Sequence, residues 1–336
     1  MQHTAQHTAQ HPLQNTPLIS IIIPCYNEMD ALPKTILQLQ LLCKSLRENT
    51  NKILNASNIH TELIFINDGS RDSTLEILQQ AASLDSQIKF ISFSRNFGHE
   101  IATTAGIDAA QGEAVILIDA DLQDPPEIIF SMLNKWQEGF DVIYGTRKTR
   151  PGESRLKRLS AYLFYRVFNK LSDVSIPVDT GDFRLMSKRV VTAFKLMPEK
   201  DRFIRGMISW IGFRQTSVLY ERKPRVAGKT KYSLYKQLAL ATTAVFSFST
   251  KPLKLSVGLG LLSSCLALIG IFLVLGIRLL THTWVSGWAT LMIAILFMGG
   301  VQLISIGILG IYIGRLYAEA KNRPLYLIEE KKGFNN

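Results

Sequence analysis

Cysteine is scarce in this sequence, and a secretion signal is absent from its N-terminus. The three cysteines, Cys25, Cys43 and Cys265, are scattered and lack the spacing of a metal site. The N-terminus carries repeated Gln-His-Thr-Ala and has no basic segment followed by an apolar one, so we expect no signal peptide. The scattered cysteines fit a reducing compartment, and no chemistry is assigned to them.

Signatures of several nucleotide- and nucleic-acid-binding classes are also missing. No Gly-x-Gly-x-x-Gly follows the first predicted strand and no P-loop signature is present, which argues against dinucleotide and P-loop folds. The net charge of +11 could suggest nucleic acid, but no nucleic-acid-binding motif accompanies it. Much of the basic excess lies in residues 147–158 and 222–236 and beside two apolar segments. We therefore assign it to membrane lipid head groups or lipid phosphates and expect no nucleic acid partner.

Two long uncharged segments lie near the C-terminus. Residues 255–277 and 284–314 contain no charged side chain. About 23 helical residues extend roughly 34 Å, which is enough to cross a hydrocarbon core of about 30 Å. A buried core helix is the alternative for either segment, but two adjacent segments of this length favour a pair of transmembrane helices. Trp284 and Trp288 would anchor the connecting loop at the interface.

The distribution of basic residues predicts how this helical pair is oriented. Lys251 and Lys254 precede the first segment, whereas the connecting loop offers only Arg278 and His282. Five further basic residues follow the second segment: Arg315, Lys321, Arg323, Lys331 and Lys332. The positive-inside rule then keeps both termini in the cytoplasm and the loop outside.

The first half of the chain alternates between short apolar runs and helical patterns. Strands are predicted at 19–23, 63–66, 88–93, 114–118 and 142–145, and helices at 31–47, 73–83, 101–110 and 128–138. This alternation predicts an α/β fold with a mostly parallel sheet and helices on both faces. Further helical segments are expected up to about residue 212. Residues 232–249 are predicted to form an amphipathic helix, either on the membrane surface or packed on the globular domain.

Acidic and amide side chains follow the fourth predicted strand. The sequence there is Asp119-Ala120-Asp121-Leu122-Gln123-Asp124-Pro125-Pro126. Open α/β sheets bind ligands at the carboxyl ends of their strands. Two carboxylates one residue apart, with an amide oxygen two residues further on, suit Mg²⁺ or Mn²⁺ that completes its shell with substrate phosphates. A solvated acidic turn is the alternative, and the position after a buried strand favours the metal site.

Three strand-end motifs in this order resemble the family 2 glycosyltransferases, which are inverting enzymes with a nucleotide-sugar-binding GT-A fold. The motifs are Pro24-Cys25-Tyr26-Asn27-Glu28, Asn67-Asp68-Gly69-Ser70 and Asp119-Ala120-Asp121. Thr180-Gly181-Asp182-Phe183-Arg184-Leu185 and Gly228-Lys229-Thr230-Lys231-Tyr232-Ser233 resemble the polyprenyl-phosphate group, which includes dolichyl-phosphate mannose synthase. The two membrane segments are similar to those of the bacterial undecaprenyl-phosphate (bactoprenol) glucosyltransferase branch, which is linked to O-antigen glucosylation. The resemblance covers residues 18 to about 325.

The resemblance implies donor-binding roles for seven residues. Pro24, Tyr26, Glu28 and Asp68 would line the nucleoside pocket. Asp119, Asp121 and Gln123 would hold Mg²⁺ or Mn²⁺ against the donor diphosphate. The alternatives are structural, because Pro24 and Tyr26 could simply end a strand and Asp68 could form an Asx-turn.

The resemblance also implies catalytic and acceptor-binding roles. Catalysis falls to Asp121, to Asp182 as a candidate base, and to Arg202 or Arg205 as a cation facing the donor phosphates. The lipid phosphate would be bound by basic residues chosen from Arg147, Arg155, Lys157, Arg158, Lys229 and Lys231. A solvated basic face is the alternative for any one of them.

The implied reaction transfers a single sugar, glucose by resemblance, from a UDP-sugar to undecaprenyl phosphate at the cytoplasmic face of the bacterial inner membrane. A divalent cation and an arginine would stabilise the charge that develops on the leaving diphosphate. The acceptor phosphate is already anionic, so Asp182 could orient a group or bind substrate instead of removing a proton. Attack opposite the leaving group would convert an α-linked donor into a β-linked product.

Two other functions are weighed against this one. A processive polysaccharide synthase would resemble its relatives in a Gln-x-x-Arg-Trp motif and in extra membrane helices, and both are missing from this sequence. A non-catalytic membrane-anchored scaffold that binds nucleotide sugar is the second alternative, and the intact metal triplet argues against it. Expected partners are the UDP-sugar, undecaprenyl phosphate, membrane lipids and further copies of the chain in a homo-oligomer.

The sequence predicts five regions. Residues 1–17 form a disordered N-terminal tail, 18–230 a GT-A catalytic domain, and 231–252 a juxtamembrane amphipathic segment. Residues 253–314 form a two-helix transmembrane hairpin, and 315–336 a cytoplasmic C-terminal tail.

Overall fold

The computed structural model describes residues 16–50, 58–148, 180–222, 249–281 and 287–334. They belong to two compact units, one that holds every described strand and one that holds two long helices. Five of the predicted lipid-phosphate ligands lie outside the described residues: Arg155, Lys157, Arg158, Lys229 and Lys231. The first 15 residues and residues 231–248 of the predicted amphipathic segment also lie outside them.

The globular unit alternates strands with helices along most of its length. Its strands are β1 (Leu18–Cys25), β2 (His60–Asn67), β3 (Ile88–Phe93), β4 (Ala114–Leu117), β5 (Val142–Arg147), β6 (Thr180–Ser187), β7 (Gln215–Tyr220) and β8 (Ile328–Lys332). Its helices are α1 (Leu32–Glu48), α2 (Thr74–Leu84), α3 (His99–Ala109), α4 (Ile128–Gln137), α5 (Lys188–Lys195) and α6 (Ile204–Ile211). All five predicted strands and all four predicted helices are present, with ends that differ from the predicted ones by at most three residues.

The strands form one sheet in the order β7-β5-β6-β4-β1-β2-β3-β8. β1 pairs in parallel with β2 and β4, and β2 pairs in parallel with β3. Strand β1 is buried on both faces, with Ile21 in the main core and Ile22 against Gly106 of α3, where no side chain could fit. Long apolar runs such as Ile21-Ile22-Ile23 therefore encode the centre of the sheet. The predicted mostly parallel α/β fold is confirmed.

Three strands lie beyond what the sequence pattern predicts. β6 runs antiparallel between β4 and β5, and β7 pairs in parallel with β5 at one edge. β8 pairs antiparallel with β3 at the other edge. The C-terminal region assigned to a tail thus contains an edge strand of the sheet, because Ile328 and the residues after it continue the hydrogen bonding of β3.

The helical unit consists of α7 (Lys251–Thr281) and α8 (Trp288–Ala320). Their apolar windows, Lys251–Leu273 and Leu291–Ala320, have mean hydropathies of 2.2 and 2.3 and are 11% and 0% buried. The core helix of a soluble protein would be mostly buried, so this exposure favours membrane spans. The Tyr312 hydroxyl donates a hydrogen bond to the Ser249 carbonyl at 2.6 Å, which brings the end of α8 beside the start of α7. Both helices are long and apolar enough to cross a membrane.

Candidate active site

The loops that follow β1 and β2 lie side by side at the carboxyl edge of the sheet. The backbone N–H groups of Asn27 and Glu28 donate to the Ser70 and Thr74 hydroxyls at 2.9 and 3.0 Å. In return, Asn27 Oδ1 accepts the N–H of Arg71 at 2.8 Å. Asn27 has a left-handed backbone, φ +53°, which asparagine tolerates better than most residues. The first two sequence motifs are therefore adjacent in the fold.

Asp68 is 3% exposed and holds the loop that follows β3. Its carboxylate accepts the N–H groups of Phe97 and Gly98 at 2.6 and 3.0 Å and the side-chain amide of Asn96 at 2.9 Å. Burial raises the pKa of Asp68, and the backbone N–H groups oppose that rise. These partners lie on another strand's loop, so the local Asx-turn alternative does not describe this residue. Its contact with a nucleoside stays a prediction.

The other predicted nucleoside ligands belong to the same corner of the sheet. Pro24 is part of β1 and lies opposite Ile66 of β2, while Tyr26 and Glu28 are half-buried in the loop that follows. Cys25, between Pro24 and Tyr26, is buried, and this burial raises the pKa of its thiol. The carboxylates of Glu28, Asp119 and Asp72 raise it further. Several carboxylates are therefore close together at this corner of the sheet. Contacts between these residues and the nucleotide sugar stay predictions.

The acidic turn after β4 is fixed by a strained backbone. Leu122 has φ +53°, a left-handed conformation that costs a non-glycine residue about 1–2 kcal/mol. The Leu122 side chain is buried, and Asp121 Oδ1 accepts the N–H of Gln123 at 3.1 Å. These two contacts stabilise the conformation of the turn. The Thr35 hydroxyl of α1 donates to the Ala120 carbonyl at 2.7 Å. Helix α1 and the turn itself therefore determine where the two carboxylates lie.

Asp182, near the start of β6, lies at the same edge because β6 runs antiparallel to β4. Arg205 of α6 binds it with two hydrogen bonds, from Nε to Oδ1 at 2.8 Å and from Nη2 to Oδ2 at 2.9 Å. His99, at the start of α3, places Nε2 at 3.5 Å from Asp182 Oδ2 and 4.0 Å from Asp119 Oδ1. His99 thus lies between the predicted base and the predicted metal ligand.

The charges in this cluster are unbalanced. Burial raises the pKa of Asp119 to about 6; His99 opposes the rise, whereas Asp182, Asp124 and Asp121 add to it. Burial alone would lower the pKa of His99, but the adjacent carboxylates of Asp182 and Asp119 raise it to about 9. The pKa of Asp182 is well below its ordinary value, because Arg205 and His99 outweigh its burial. A carboxylate bound in this way is a poor proton acceptor, which favours an orienting role for Asp182.

The donor set at the acidic turn fits a divalent cation that substrate phosphates help to bind. Among the described residues, no group of three or more His, Cys, Asp or Glu side chains is arranged to hold a metal by itself. Asp119 and Asp121 nevertheless provide hard carboxylate oxygens with mutual repulsion that a cation would relieve. Magnesium commonly binds through one or two carboxylates plus phosphates, so the residues present fit Mg²⁺ or Mn²⁺ in that form.

The two predicted catalytic arginines have different surroundings. Arg205 contacts Asp182, as described above. Arg202 donates to the Met197 carbonyl at 2.8 Å and lies over the Phe194 ring at 5.1 Å. Arg205 is therefore in contact with another predicted catalytic residue, whereas the contacts described above for Arg202 are with Met197 and Phe194.

Arg147 is the one predicted lipid-phosphate ligand among the described residues. Its guanidinium lies close to Gly181, where a side chain would meet Arg147 Nη2 at 2.9 Å. It also contacts the Tyr220 hydroxyl, which in turn hydrogen-bonds the buried carboxylate of Asp124. Arg147 therefore lies near the acidic turn, and its contact with an acceptor stays a prediction.

Two residues of this cluster were not predicted from the sequence. Arg184 is buried and donates to the carbonyls of Gly181 and Asp182 at 2.9 and 3.1 Å, and burial lowers its pKa to about 10. His99 follows β3, a strand with no predicted ligand at its carboxyl end. The rule that ligands bind at strand ends, applied to β3, would have found His99.

Comparison with known proteins extends these observations. The family model of glycosyl transferase family 2 matches residues 20–194. An uncharacterized glycosyltransferase, YkcC, of Bacillus subtilis (strain 168) is 45% identical over 94% of this chain and 95% of its own length. A bactoprenol glucosyl transferase of Shigella phage SfV is 42% identical over 94% of this chain and 99% of its own length.

The chain is also similar to a solved structure of glucosyl-3-phosphoglycerate synthase from Mycobacterium tuberculosis in complex with Mn²⁺, UDP-glucose and phosphoglyceric acid. That structure has a TM-score of 0.44 and 17% identity, over 68% of this chain and 78% of that one. The family match covers β1 to β6, and therefore includes all three strand-end motifs and Asp182. The family model matches more than half of the chain, and the relatives are 42% and 45% identical over 94% of it. Together with the mostly parallel α/β sheet, this shows that the chain belongs to glycosyl transferase family 2 and is a glycosyltransferase.

Proposed function

We propose that this protein transfers a single glucose from UDP-glucose to undecaprenyl phosphate, with inversion at the sugar, at the cytoplasmic face of a bacterial inner membrane. The observation that carries the proposal is that one chain joins a GT-A site to two exposed apolar helices. The similarity to the phage bactoprenol glucosyl transferase covers 94% of the chain, so it includes both the globular unit and the helical unit. A lipid acceptor explains why a sugar-transfer domain and membrane helices occur together.

The donor half of the reaction is supported by the acidic turn. Asp119 and Asp121, with Gln123 beside them, would hold Mg²⁺ or Mn²⁺, which would neutralise charge on the leaving diphosphate. Asp68 orders residues 96–98 and thereby shapes the edge where the nucleoside would bind. Pro24, Tyr26 and Glu28 complete this side of the proposed donor pocket.

The acceptor half of the reaction is supported by the pairing of Asp182 with Arg205. A phosphate monoester is already anionic near neutral pH and attacks without losing a proton, so a general base is unnecessary. Arg205 binds both oxygens of Asp182, which suits a rigid carboxylate that orients substrate. Arg147 near the acidic turn is a candidate for the acceptor phosphate. This assigns Asp182 an orienting role.

Localisation follows from the helices and the basic residues that flank them. α7 and α8 would form a hairpin in the bilayer, with Lys251, Lys254, Arg315 and Lys321 at its cytoplasmic end. The prenyl tail would stay in the lipid while the phosphate reaches the globular unit. The homo-oligomer stays a prediction that light scattering of the detergent-solubilised chain would test.

The test uses the full-length protein purified in detergent, with labelled UDP-glucose, Mn²⁺ and undecaprenyl phosphate. We expect label in the lipid extract at one sugar per lipid, released with β configuration. Labelled polymer would instead indicate a processive synthase, and unlabelled lipid with intact nucleotide binding would indicate a scaffold. A panel of UDP- and GDP-sugars run in parallel identifies the donor.

Two variants, one in the acidic turn and one at the start of the helix after it, separate metal binding from general damage. Asp121→Asn should reduce transfer by about 100-fold or more, because it removes a cation-binding carboxylate. Glu127→Gln, a matched change on an exposed residue at the start of α4, should stay within about twofold of wild type. Full activity of the wild type in excess chelator, or of Asp121→Asn, would contradict the metal role.

A further inference from the structure

The segment that follows the last long helix returns to the sheet and contacts the loop beside the proposed donor pocket. α8 ends at Ala320, and β8 begins at Ile328 and pairs with β3. Between them, the Leu327 carbonyl accepts the N–H of Ser94, the first residue after β3, at 3.1 Å. The backbone of the C-terminal segment thus fixes the point where the β3–α3 loop (residues 94–98) begins.

Tyr326 bridges the two elements on either side of this loop. Its ring stacks on Phe93, the last residue of β3, with centroids 5.0 Å apart and an interplanar angle of 21°. Its hydroxyl donates to Asp108 Oδ2 near the end of α3 at 3.3 Å. Burial raises the pKa of Tyr326 to about 12, and the Asp108 carboxylate adds to that rise, so the hydroxyl stays protonated as a donor at neutral pH. One side chain therefore links the strand before the loop to the helix after it.

The loop itself carries every protein contact of Asp68 described above. Phe97 packs edge-on against Phe93 at 5.6 Å, and Phe97 and Gly98 donate their N–H groups to Asp68. The loop backbone also packs closely on Gly69, where no side chain could fit and φ is +61°. A shift of the loop would therefore move Asp68, the turn at Gly69 and His99 together.

We infer that Tyr326 is a positioning residue for nucleotide-sugar binding, acting through Phe93 and the β3–α3 loop on Asp68 and His99. The inference rests on the proposed function, because it takes the corner around Asp68 as the donor pocket. The ring contact carries the effect, and the hydroxyl contact with the exposed Asp108 contributes less.

The test compares Tyr326→Ala with Tyr326→Phe in the full-length protein. Hydrogen exchange of peptides covering residues 94–100 is measured without nucleotide, and the KM for UDP-glucose and kcat are measured separately. Tyr326→Ala should exchange about tenfold faster in this loop and raise KM about tenfold, with kcat within about threefold of wild type. Tyr326→Phe keeps the ring and should stay within about twofold in both measurements. Tyr317→Ala, an exposed tyrosine of α8, is the control for loss of a tyrosine elsewhere.

The outcomes distinguish this inference from the proposed function. Unchanged loop exchange in Tyr326→Ala overturns the inference, and so does faster exchange with unchanged KM, because the loop would then not govern donor binding. If Tyr326→Ala does not fold, Phe93→Leu, which keeps a buried apolar residue but removes the stacked ring, replaces it with the same expected shifts. A wild type that binds UDP without transferring glucose overturns the proposed function alone, and the UDP dissociation constant then replaces KM. A wild type that neither transfers nor binds UDP overturns both.

Discussion

Carboxylates lie at both edges that the strand ends form, the buried Asp141 at one and the half-buried Asp119 at the other, and their partners differ. At the edge where β4 and β5 begin, Asp141 accepts hydrogen bonds from Ser187 and Arg189. Burial would raise the pKa of Asp141, but these donors and the Arg214 backbone N–H lower it overall. At the opposite edge, Asp119 is surrounded by further carboxylates, and its pKa is raised to about 6.

The difference separates a carboxylate that stabilises the fold from one that is suited to a ligand. Asp141 has cationic and neutral donors from the protein itself, so its charge is already compensated. Among the described residues, His99 pairs with Asp119 at 4.0 Å, and three carboxylates oppose the ionisation of Asp119. Unbalanced charge of this kind at a strand end is typical of a functional site. Substitutions at the two positions should therefore affect different properties.

The largest expected effect is that of Asp119→Asn on activity. Transfer should fall by about 100-fold or more, because the variant would lose a ligand for the proposed cation, which would neutralise charge on the leaving diphosphate. The unfolding temperature without divalent cation should equal or exceed that of wild type, because one repelling charge is gone. Radiolabelled lipid and differential scanning fluorimetry measure the two properties. If Asp119→Asn lowered the unfolding temperature as much as a substitution of Asp141 does, the two carboxylates would not differ in the way proposed.

The next largest effect is that of Asp141→Ala on stability. Its removal leaves Ser187 and the Arg214 N–H without their acceptor and should cost about 2–3 kcal/mol. For a unit of this size that corresponds to a fall of about 4–12 °C in unfolding temperature. Activity per folded molecule, measured well below the transition, should stay within about twofold of wild type. A specific loss of turnover without a change in unfolding temperature would contradict this assignment.

A smaller effect distinguishes the two arginines on and near α6. Arg205→Lys loses the two-point contact with Asp182 and should lower kcat/KM about tenfold or more, because lysine offers a point charge in place of a planar fork. Arg202→Lys is the comparison variant, since Arg202 contacts Met197 and Phe194 and interacts with Asp108, and its kcat/KM should fall less than that of Arg205→Lys. Steady-state kinetics with UDP-glucose measure both. Equal losses of kcat/KM in the two variants would show that the contact between Arg205 and Asp182 is not important for the reaction.

The smallest effect concerns acid stability. The pKa of Asp141 is lowered in the folded protein, so its ionised form stabilises the fold above its unfolded pKa of about 3.9, and this contribution is lost as pH falls through the lower folded value. The unfolding temperatures of wild type and Asp141→Asn should therefore differ at pH 5–7 and converge below about pH 4. A gap that closes already near pH 6 would mean that another group is responsible.

Several features could be predicted from sequence because they depend on local patterns. The central strands and their helices follow from apolar runs and turn residues, and the two long helices follow from uncharged segments. The acidic turn was placed correctly because Asp119 follows a buried strand directly. The assignment to a glycosyltransferase family came from these same short motifs.

Other features could not be predicted because they depend on contacts between distant residues. β6 joins Asp182 to the edge that carries Asp119 only because it inserts antiparallel between β4 and β5. β8 lies in a charged segment of the sequence, Ile328-Glu329-Glu330-Lys331-Lys332, that resembles a solvated tail. An edge strand needs little apolar content, so its pairing partner decides whether it forms.

The sequence by itself determined that this chain has an α/β unit with motifs that resemble family 2 glycosyltransferases, an acidic turn after a buried strand and two membrane-length helices, because hydrophobic periodicity and short motifs are local properties. Only the tertiary structure decided that Arg205 binds Asp182, that His99 lies between Asp182 and Asp119, and that Tyr326 stacks on Phe93 at the start of the loop that contacts Asp68. Those contacts join residues on separate strands and helices. They can form and stabilise the protein only after the sheet has brought the carboxyl ends of its strands together.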